Sequence, residues 1–174
     1  PFELNENGDI VTSFVHKGYT CNDLPNEFSS DVMAISMFSG AGGLDIGSQL
    51  AGVKVLSSLD IFEDSVETLR RNTYFADAVH ENGDITKIKG SHYSEILKKA
   101  NPSKLIVIGG PPCQPFSKAG YWVTNENRNS EEDPRNLLVP YFRILSELQP
   151  DGFILENVES ILHPSNKAAV NTIY

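Results

Sequence analysis

Val32-Met33-Ala34-Ile35-Ser36-Met37-Phe38-Ser39-Gly40-Ala41-Gly42-Gly43 opens as an apolar strand and closes in a glycine turn, after which residues 44–50 read as a helix. An apolar run without strict alternation suits a strand covered on both faces, and such strands belong to parallel sheets. Strand, glycine turn and helix in that order bring backbone N–H groups and a helix N-terminus up to a ligand. Tight turns that hold no ligand use glycine too, so the turn alone leaves both readings open.

The same pattern recurs along the chain. Residues 53–59 form a second strand pattern ending in Asp60, 20 residues past Gly40, a separation at which an acidic side chain accepts ribose hydroxyls in nucleoside sites. Residues 63–72 follow as a helix with Val66 and Leu69 on its apolar side. Asp84, after Asn82-Gly83 and before Ile85-Thr86, falls at the next strand's end, where a doubly wound sheet would meet an adenine. Each aspartate alone fits a helix cap as well, and only the ordered series favours a nucleoside. Residues 91–100 read as a covering helix capped at Ser91 and stopped before Pro102.

Leu105-Ile106-Val107-Ile108 is a further buried strand, and it delivers Gly109-Gly110-Pro111-Pro112-Cys113-Gln114-Pro115-Phe116-Ser117 to the sheet's carboxyl edge. Prolines on both sides of Cys113 hold it on a stiff loop, a setting that suits a nucleophilic thiolate. A small buried filler is the other reading. Residues 118–133 are polar and turn-rich, with Tyr121 and Trp122 as the large side chains, and read as a lid, a binding loop or disorder. Leu137, Leu138, Tyr141, Phe142, Leu145 and Leu148 then repeat at helical spacing until residues 149–152 break the pattern. Residues 153–155 form the next buried strand and carry Glu156-Asn157-Val158 to the edge that holds Cys113, where a carboxyl among apolar neighbours suits a general acid. A glutamate paired with an arginine at the sheet rim is the alternative.

At 174 residues, 21% charged and 40% hydrophobic, the composition is that of one soluble globular domain with a real core. We divide the chain into an N-terminal arm or hairpin, residues 1–31, built around the turn Asn5-Glu6-Asn7-Gly8-Asp9, and a domain over residues 32–174. No apolar stretch approaches the length of a membrane span, and the N-terminus lacks a basic region followed by an apolar one, so a cytoplasmic chain without a membrane partner is expected. Cys21 and Cys113 lie in unlike contexts and the four histidines are scattered, which points to neither a disulfide scaffold nor a metal. A net charge of −9 and a pI near 4.8 weigh against a surface made mainly to grip phosphates.

Taken together and in order, residues 38–47, Gly83-Asp84-Ile85, residues 110–117 and Glu156-Asn157-Val158 resemble the cytosine-5 DNA methyltransferases, over residues 32 to about 162. The resemblance implies an α/β fold, a Rossmann-like S-adenosylmethionine-dependent methyltransferase sheet with helices on both faces, with S-adenosylhomocysteine as product. It implies that Phe38, Ser39, Gly40, Ala41, Gly42, Gly43, Asp60, Ile61, Asp84, Ile85 and Pro111 bind the cofactor. Asp60 would hold the ribose hydroxyls, Ile61 would cover one adenine face and Asp84 would meet its amino group. Cys113 would attack C6 of a cytosine turned out of double-stranded DNA while Glu156 engages N3, and Pro112, Gln114, Ser117, Asn157 and Val158 would contact the substrate. Lys118 and Arg128 are candidate phosphate contacts, and Arg135 lies in the region of another family motif.

The family's Gln-x-Arg-x-Arg motif and target-recognition segment do not occur before Tyr174. The sheet is therefore expected to be incomplete on its C-terminal side, the chain being a fragment or one partner of a complementary C-terminal polypeptide. An RNA cytosine-5 methyltransferase and a non-catalytic protein that binds cofactor or a partner remain alternatives. An NAD-type Rossmann enzyme accounts for the glycines and Asp60 but leaves the Pro-Pro-Cys-Gln loop unexplained.

Overall fold

The computed structural model describes residues 3–4, 10–11, 31–113, 136–163, 166, 171 and 173. Near the start, β1 (Glu3–Leu4) pairs antiparallel with β2 (Ile10–Val11). From residue 31 the chain alternates strand and helix: β3 (Val32–Met37), α1 (Gly43–Leu50), β4 (Lys54–Asp60), α2 (Glu63–Arg71), β5 (Val79–Asn82), α3 (Ser94–Ala100), β6 (Lys104–Gly109), α4 (Leu138–Leu148) and β7 (Gly152–Leu155). The last five strands make one sheet in the order β5-β4-β3-β6-β7, with parallel pairing throughout. β3, the first of them in the chain, stands at the centre, and the direction of winding reverses between β3 and β6. This is the Rossmann-like α/β sheet expected from the sequence.

Burial on both faces explains the apolar runs. Along β3 and β6, Ile35, Met37 and Val107 join Leu59, Tyr93, Tyr141, Ile144 and Leu145 in the larger core. The alternate residues Ala34 and Ile108 pack with Val55 and with Leu44 of α1 on the opposite face. The helices supply the covering side chains at helical spacing: Val66 and Leu69 on α2, and Leu138, Tyr141, Ile144 and Leu145 on α4. α2 carries Glu63 and Asp64 in its first turn and Arg70 and Arg71 in its last, charges that complement the helix dipole. α3 and α4 end at Asn101 and Gln149, at φ 46° and 50°, left-handed positions that stop a helix.

Two expectations change. The helix placed over residues 91–100 begins as a 3-10 turn, Gly90–Tyr93, and continues as α3, with no side-chain cap on either, so Ser91 is not its cap. Gly90 is seated against Glu147 of α4 and Tyr93 is driven into the core, and this packing sets the tighter first turn. The strand at 153–155 is not buried: Phe153 and Ile154 are 45% and 48% exposed. β7 is an outer strand of the described sheet, so its apolar sequence is not matched by cover on both sides. No helix among the described residues is long and apolar enough to cross a membrane.

One polar cluster ties the centre together. The β3–β4 register shifts between Ala34 and Ile35, which brings Ser36 opposite Ser58. Both hydroxyls donate to the buried Asp45 of α1, Ser36 Oγ at 2.5 Å and Ser58 Oγ at 2.7 Å. Burial pushes the Asp45 carboxyl above its ordinary value of 3.8, against the pull of these two bonds. Asp45→Ala leaves two buried hydroxyls without an acceptor, and we expect a loss of about 2–5 kcal/mol in urea unfolding. The sign with pH follows from the raised value. The folded state keeps a proton that the unfolded state has already released, so stability from this group is full below about pH 3.8 and declines as pH rises through the folded value. Asparagine does not titrate. The stability of wild type relative to Asp45→Asn should therefore fall with rising pH, and a difference that stays constant would exclude burial of the charge as the cause.

Candidate active site

The reversal between β3 and β6 leaves a crevice at the carboxyl ends of these strands, and the loops that follow both of them line it. After β3 the chain turns sharply. Phe38 takes φ 55° although it has a side chain, and Gly40 and Gly42 follow at 52° and 92°. A left-handed phenylalanine is costly and persists only where its surroundings hold it. Here Ser39 N–H donates to Leu59 O at 3.1 Å, Gly42 N–H donates to Ser39 O at 2.9 Å, and the Phe38 ring lies 6.4 Å from that of Tyr141.

The glycines of this turn differ in what they face. A Cβ on Gly42 would stand 2.6 Å from Leu69 Cδ2, so this glycine lets α1 pack against α2. Gly40 and Gly43 would meet nothing within 4 Å, and that side of the turn is open. α1 has no side-chain cap at its N-terminus. Ser39 is buried, and its hydroxyl has no partner among the described residues.

Asp60, at the end of β4, is joined to the turn. Its Oδ2 accepts Gly40 N–H at 2.8 Å and its Oδ1 accepts Phe62 N–H at 2.9 Å, which leaves a further lone pair on each oxygen. Asp84 follows β5, and its Oδ1 accepts the N–H and the hydroxyl of Thr86 at 2.9 and 2.7 Å. These Thr86 bonds, hydroxyl first, hold the Asp84 carboxyl below the ordinary carboxylate range, so it is an ionised acceptor at neutral pH.

A cavity of about 290 Å³ joins these parts. Of the residues chosen from the sequence, Phe38, Gly40, Asp60, Ile61, Asp84, Ile85 and Pro112 line it. Ser39, Ala41, Gly42, Gly43 and Pro111 are not among its lining residues. Leu59, Phe62, Ser65, Gly83, Gly110 and Leu137 line it as well, although none was chosen from the sequence as a site residue. Phe62 and Ser65 lie two and five residues past Asp60, so their nearness to an acidic strand end is the signal that could have found them; for Leu137 the sequence showed a helix position and nothing that pointed to the cavity. Ile61 and Phe62 are 61% and 69% exposed, an apolar pair left open at the mouth.

The second wall comes from β6 and β7, which run parallel with Gly109 opposite Leu155. Glu156 N–H donates to Gly109 O at 2.9 Å, which carries the pairing one step past the strands. The Asn157 side chain then donates through Nδ2 to Pro111 O at 2.9 Å, while its Oδ1 accepts Val158 N–H. Both ends of the Asn157 amide are thus engaged within the chain, fastening the proline loop. A Cβ on Gly110 would stand 2.9 Å from Glu156 Oε2, so the glutamate carboxylate lies across Gly110, close to the cavity. Glu156 is exposed, not enclosed by apolar neighbours as the sequence suggested, because β7 is an outer strand. Cys113 is half-buried with a free thiol, directly after the cavity-lining Pro112.

Gln114 and Ser117, with Lys118, Tyr121, Trp122, Arg128 and Arg135, lie outside the described residues. Among the described residues no group of three or more His, Cys, Asp or Glu is placed to hold a metal ion.

Comparison with known proteins agrees with this geometry. Residues 32–174 match the profile of the C-5 cytosine-specific DNA methylases. Type II methyltransferase M.SacI of Streptomyces achromogenes is 36% identical over 152 residues, 79% of this chain and 38% of that protein. Type II methyltransferase M.AquIA of a Picosynechococcus species is 39% identical over 141 residues, 80% of this chain and 53% of that protein. A crystal structure of a prophage-encoded protein of E. coli, provisionally assigned as a DNA modification methyltransferase, superposes with a TM-score of 0.62 at 30% identity. It covers 80% of this chain and 36% of that one. The chain spans between about a third and a half of the length of these relatives. A central parallel sheet, a glycine turn joined to an acidic strand end, and a proline–cysteine loop fastened to a Glu-Asn-Val segment therefore converge with the matched profile: this chain belongs to the C-5 cytosine-specific DNA methylase family.

Proposed function

We propose that this chain forms the cofactor and catalytic part of an S-adenosylmethionine-dependent enzyme that methylates C5 of cytosine in double-stranded DNA. The observation that carries the reading is the joining of two loops at one cavity rim, through Asn157 Nδ2 to Pro111 O and Glu156 N–H to Gly109 O, which fastens the loop that ends in Cys113 to the segment that begins with Glu156. A site of action in the cytoplasm, at nucleoid DNA, follows from that substrate. A separate complementary polypeptide is not part of this reading, since no comparison supports one.

The residues present fit S-adenosylmethionine. The open side of Gly40 and Gly43, the unpartnered Ser39 hydroxyl and the spare lone pairs of Asp60 suit its amino-acid and ribose groups. Ile61 offers an apolar cover for the adenine, and the ionised Asp84 an acceptor for the exocyclic amine. The cofactor supplies an electrophilic methyl group. In the chemistry assigned to this chain, the Cys113 thiolate adds to C6 of a cytosine turned out of the duplex, because C5 and C6 are unreachable inside the stack. Electron density moves to C5, while Glu156 hydrogen-bonds N3 and stabilises the charge that develops on the ring. C5 takes the methyl group, then loses its proton to solvent or a base. The electrons of that C–H bond restore the C5–C6 double bond and expel the Cys113 thiolate.

Trapping tests the reading. An oligonucleotide carrying 5-fluorocytosine, incubated with the protein and S-adenosylmethionine, should give a covalent adduct on Cys113 by mass spectrometry, absent in Cys113→Ala. Fluorine cannot leave as the proton does, so a competent site stalls with both bonds made. Cofactor binding without an adduct would replace the catalytic reading with the binding one.

The adjacent glycines give a second test. A Cβ on Gly109 would stand 2.8 Å from Tyr141 Cε2 and 2.9 Å from Met37 O. Gly109→Ala should therefore cost about 1–3 kcal/mol of stability by overpacking. On Gly110 the close atom is the free end of Glu156, so Gly110→Ala should change stability by only about 0.5 kcal/mol. Displacing that carboxyl should still slow adduct formation by about tenfold to a hundredfold.

A further inference from the structure

Two side chains of α4 that do not line the cavity reach the segment that carries Asp84 and Ile85. Arg143 Nη2 donates to Ile85 O at 2.9 Å and to Ile88 O at 2.7 Å. Its Nη1 donates to Glu147 Oε1 at 3.0 Å, and the other Glu147 oxygen accepts Gly90 N–H. The start of the segment is held from the opposite side, by Gly83 N–H to Asp60 O at 2.9 Å and Asn82 Nδ2 to Ile61 O at 2.8 Å. Residues 83–90 are thus anchored at one end by the ribose-side strand and at the other by one guanidinium and its carboxylate partner. Within the segment, Lys87 N–H donates to Asp84 O at 2.9 Å, so a shift at Ile85 or Ile88 moves the Asp84 backbone as well.

We propose that Arg143, oriented by Glu147, is a positioning residue for adenine recognition: by holding the Ile85 and Ile88 carbonyls it sets where the Asp84 carboxylate stands in the cavity. This rests on the cofactor reading above and goes beyond it, because neither residue belongs to the cavity wall or to the motifs that carry the resemblance. The planar guanidinium fork suits the task. It serves two carbonyls and a carboxylate at once in fixed directions, which an ammonium on a flexible stem does not reproduce.

The test compares S-adenosylhomocysteine with S-inosylhomocysteine, in which a carbonyl oxygen replaces the amine facing Asp84. Calorimetric titrations would use the full chain as wild type, Arg143→Met, Arg143→Lys and Glu147→Gln. Wild type should prefer the adenosyl ligand by about tenfold or more, the worth of one hydrogen bond to a charged acceptor. Arg143→Met should lose most of that preference by weakening adenosyl binding while leaving inosyl binding nearly unchanged. Arg143→Lys should behave similarly, which separates the fork from the charge and covers the case in which Arg143→Met does not fold. Glu147→Gln should fall between these and wild type. Equal weakening of both ligands in the arginine variants would reduce Arg143 to a support of the fold and overturn the proposal, as would an unchanged preference. A wild-type chain that binds neither ligand would overturn the cofactor reading itself and this proposal with it, whereas one that binds both alike would leave cofactor binding standing and overturn the Asp84 assignment together with this proposal.

Discussion

The parallel pairing of β3 with β6 is the contact from which the site follows. Their register runs from Val32 opposite Lys104 to Met37 opposite Gly109, so both strands end at the same level. The glycine turn leaves from one end and the proline–cysteine loop from the other. Because the winding reverses between them, no crossover helix among the described residues joins the two strands over the gap, and a crevice is left at the ends from which two loops of quite different composition leave. A slip of one residue would turn Ile35 and Met37 out of the larger core and carry Gly109 away from Tyr141.

Tyr141 ties the two walls to one helix. Its ring packs beside Phe38 and against Gly109, and its hydroxyl is shared between Ile154 O at 3.1 Å and Val107 O at 3.4 Å. Burial pushes the phenol far above its ordinary range, so it stays a neutral donor. α4 also presents Arg143 and Glu147 to the segment after β5. A single helix therefore contacts the strand ends that carry Cys113 and Glu156 as well as the segment that carries Asp84. The wall that carries Cys113 and Glu156 and the wall that carries Asp84 are held by shared packing, not by two independent scaffolds.

The polar groups near the crevice fall into two kinds. Asp45 is enclosed, satisfied by two serines, and works for the fold. Asp60, Asp84 and Glu156 are only partly engaged and keep acceptor capacity toward the cavity or its rim. All four stand within or just past a glycine turn or a strand end, and from the sequence they look alike. Position separates them, since Asp45 is fully buried away from the cavity, whereas Asp60 and Asp84 line it and Glu156 lies against the cavity-lining Gly110.

Much of this was readable from the chain itself. Strands, helices and their order follow from local causes: apolar runs for strands buried on both faces, helical spacing of Val66, Leu69, Leu138, Tyr141 and Leu145, and glycine or proline where the backbone must turn. The motifs that show the family are likewise contiguous, and contiguous signals survive without a structure. What only the tertiary structure decided is how distant segments meet. Asn157 binds Pro111 across 46 residues, Arg143 reaches Ile85 across 58, and Leu137 enters the cavity with no motif to announce it. The exposure of Phe153 and Glu156 belongs here too, because an apolar strand reads the same at the edge of a sheet as at its centre. Local composition sets what a segment can become, whereas its partners depend on packing among elements far apart in the chain, which no window of sequence contains.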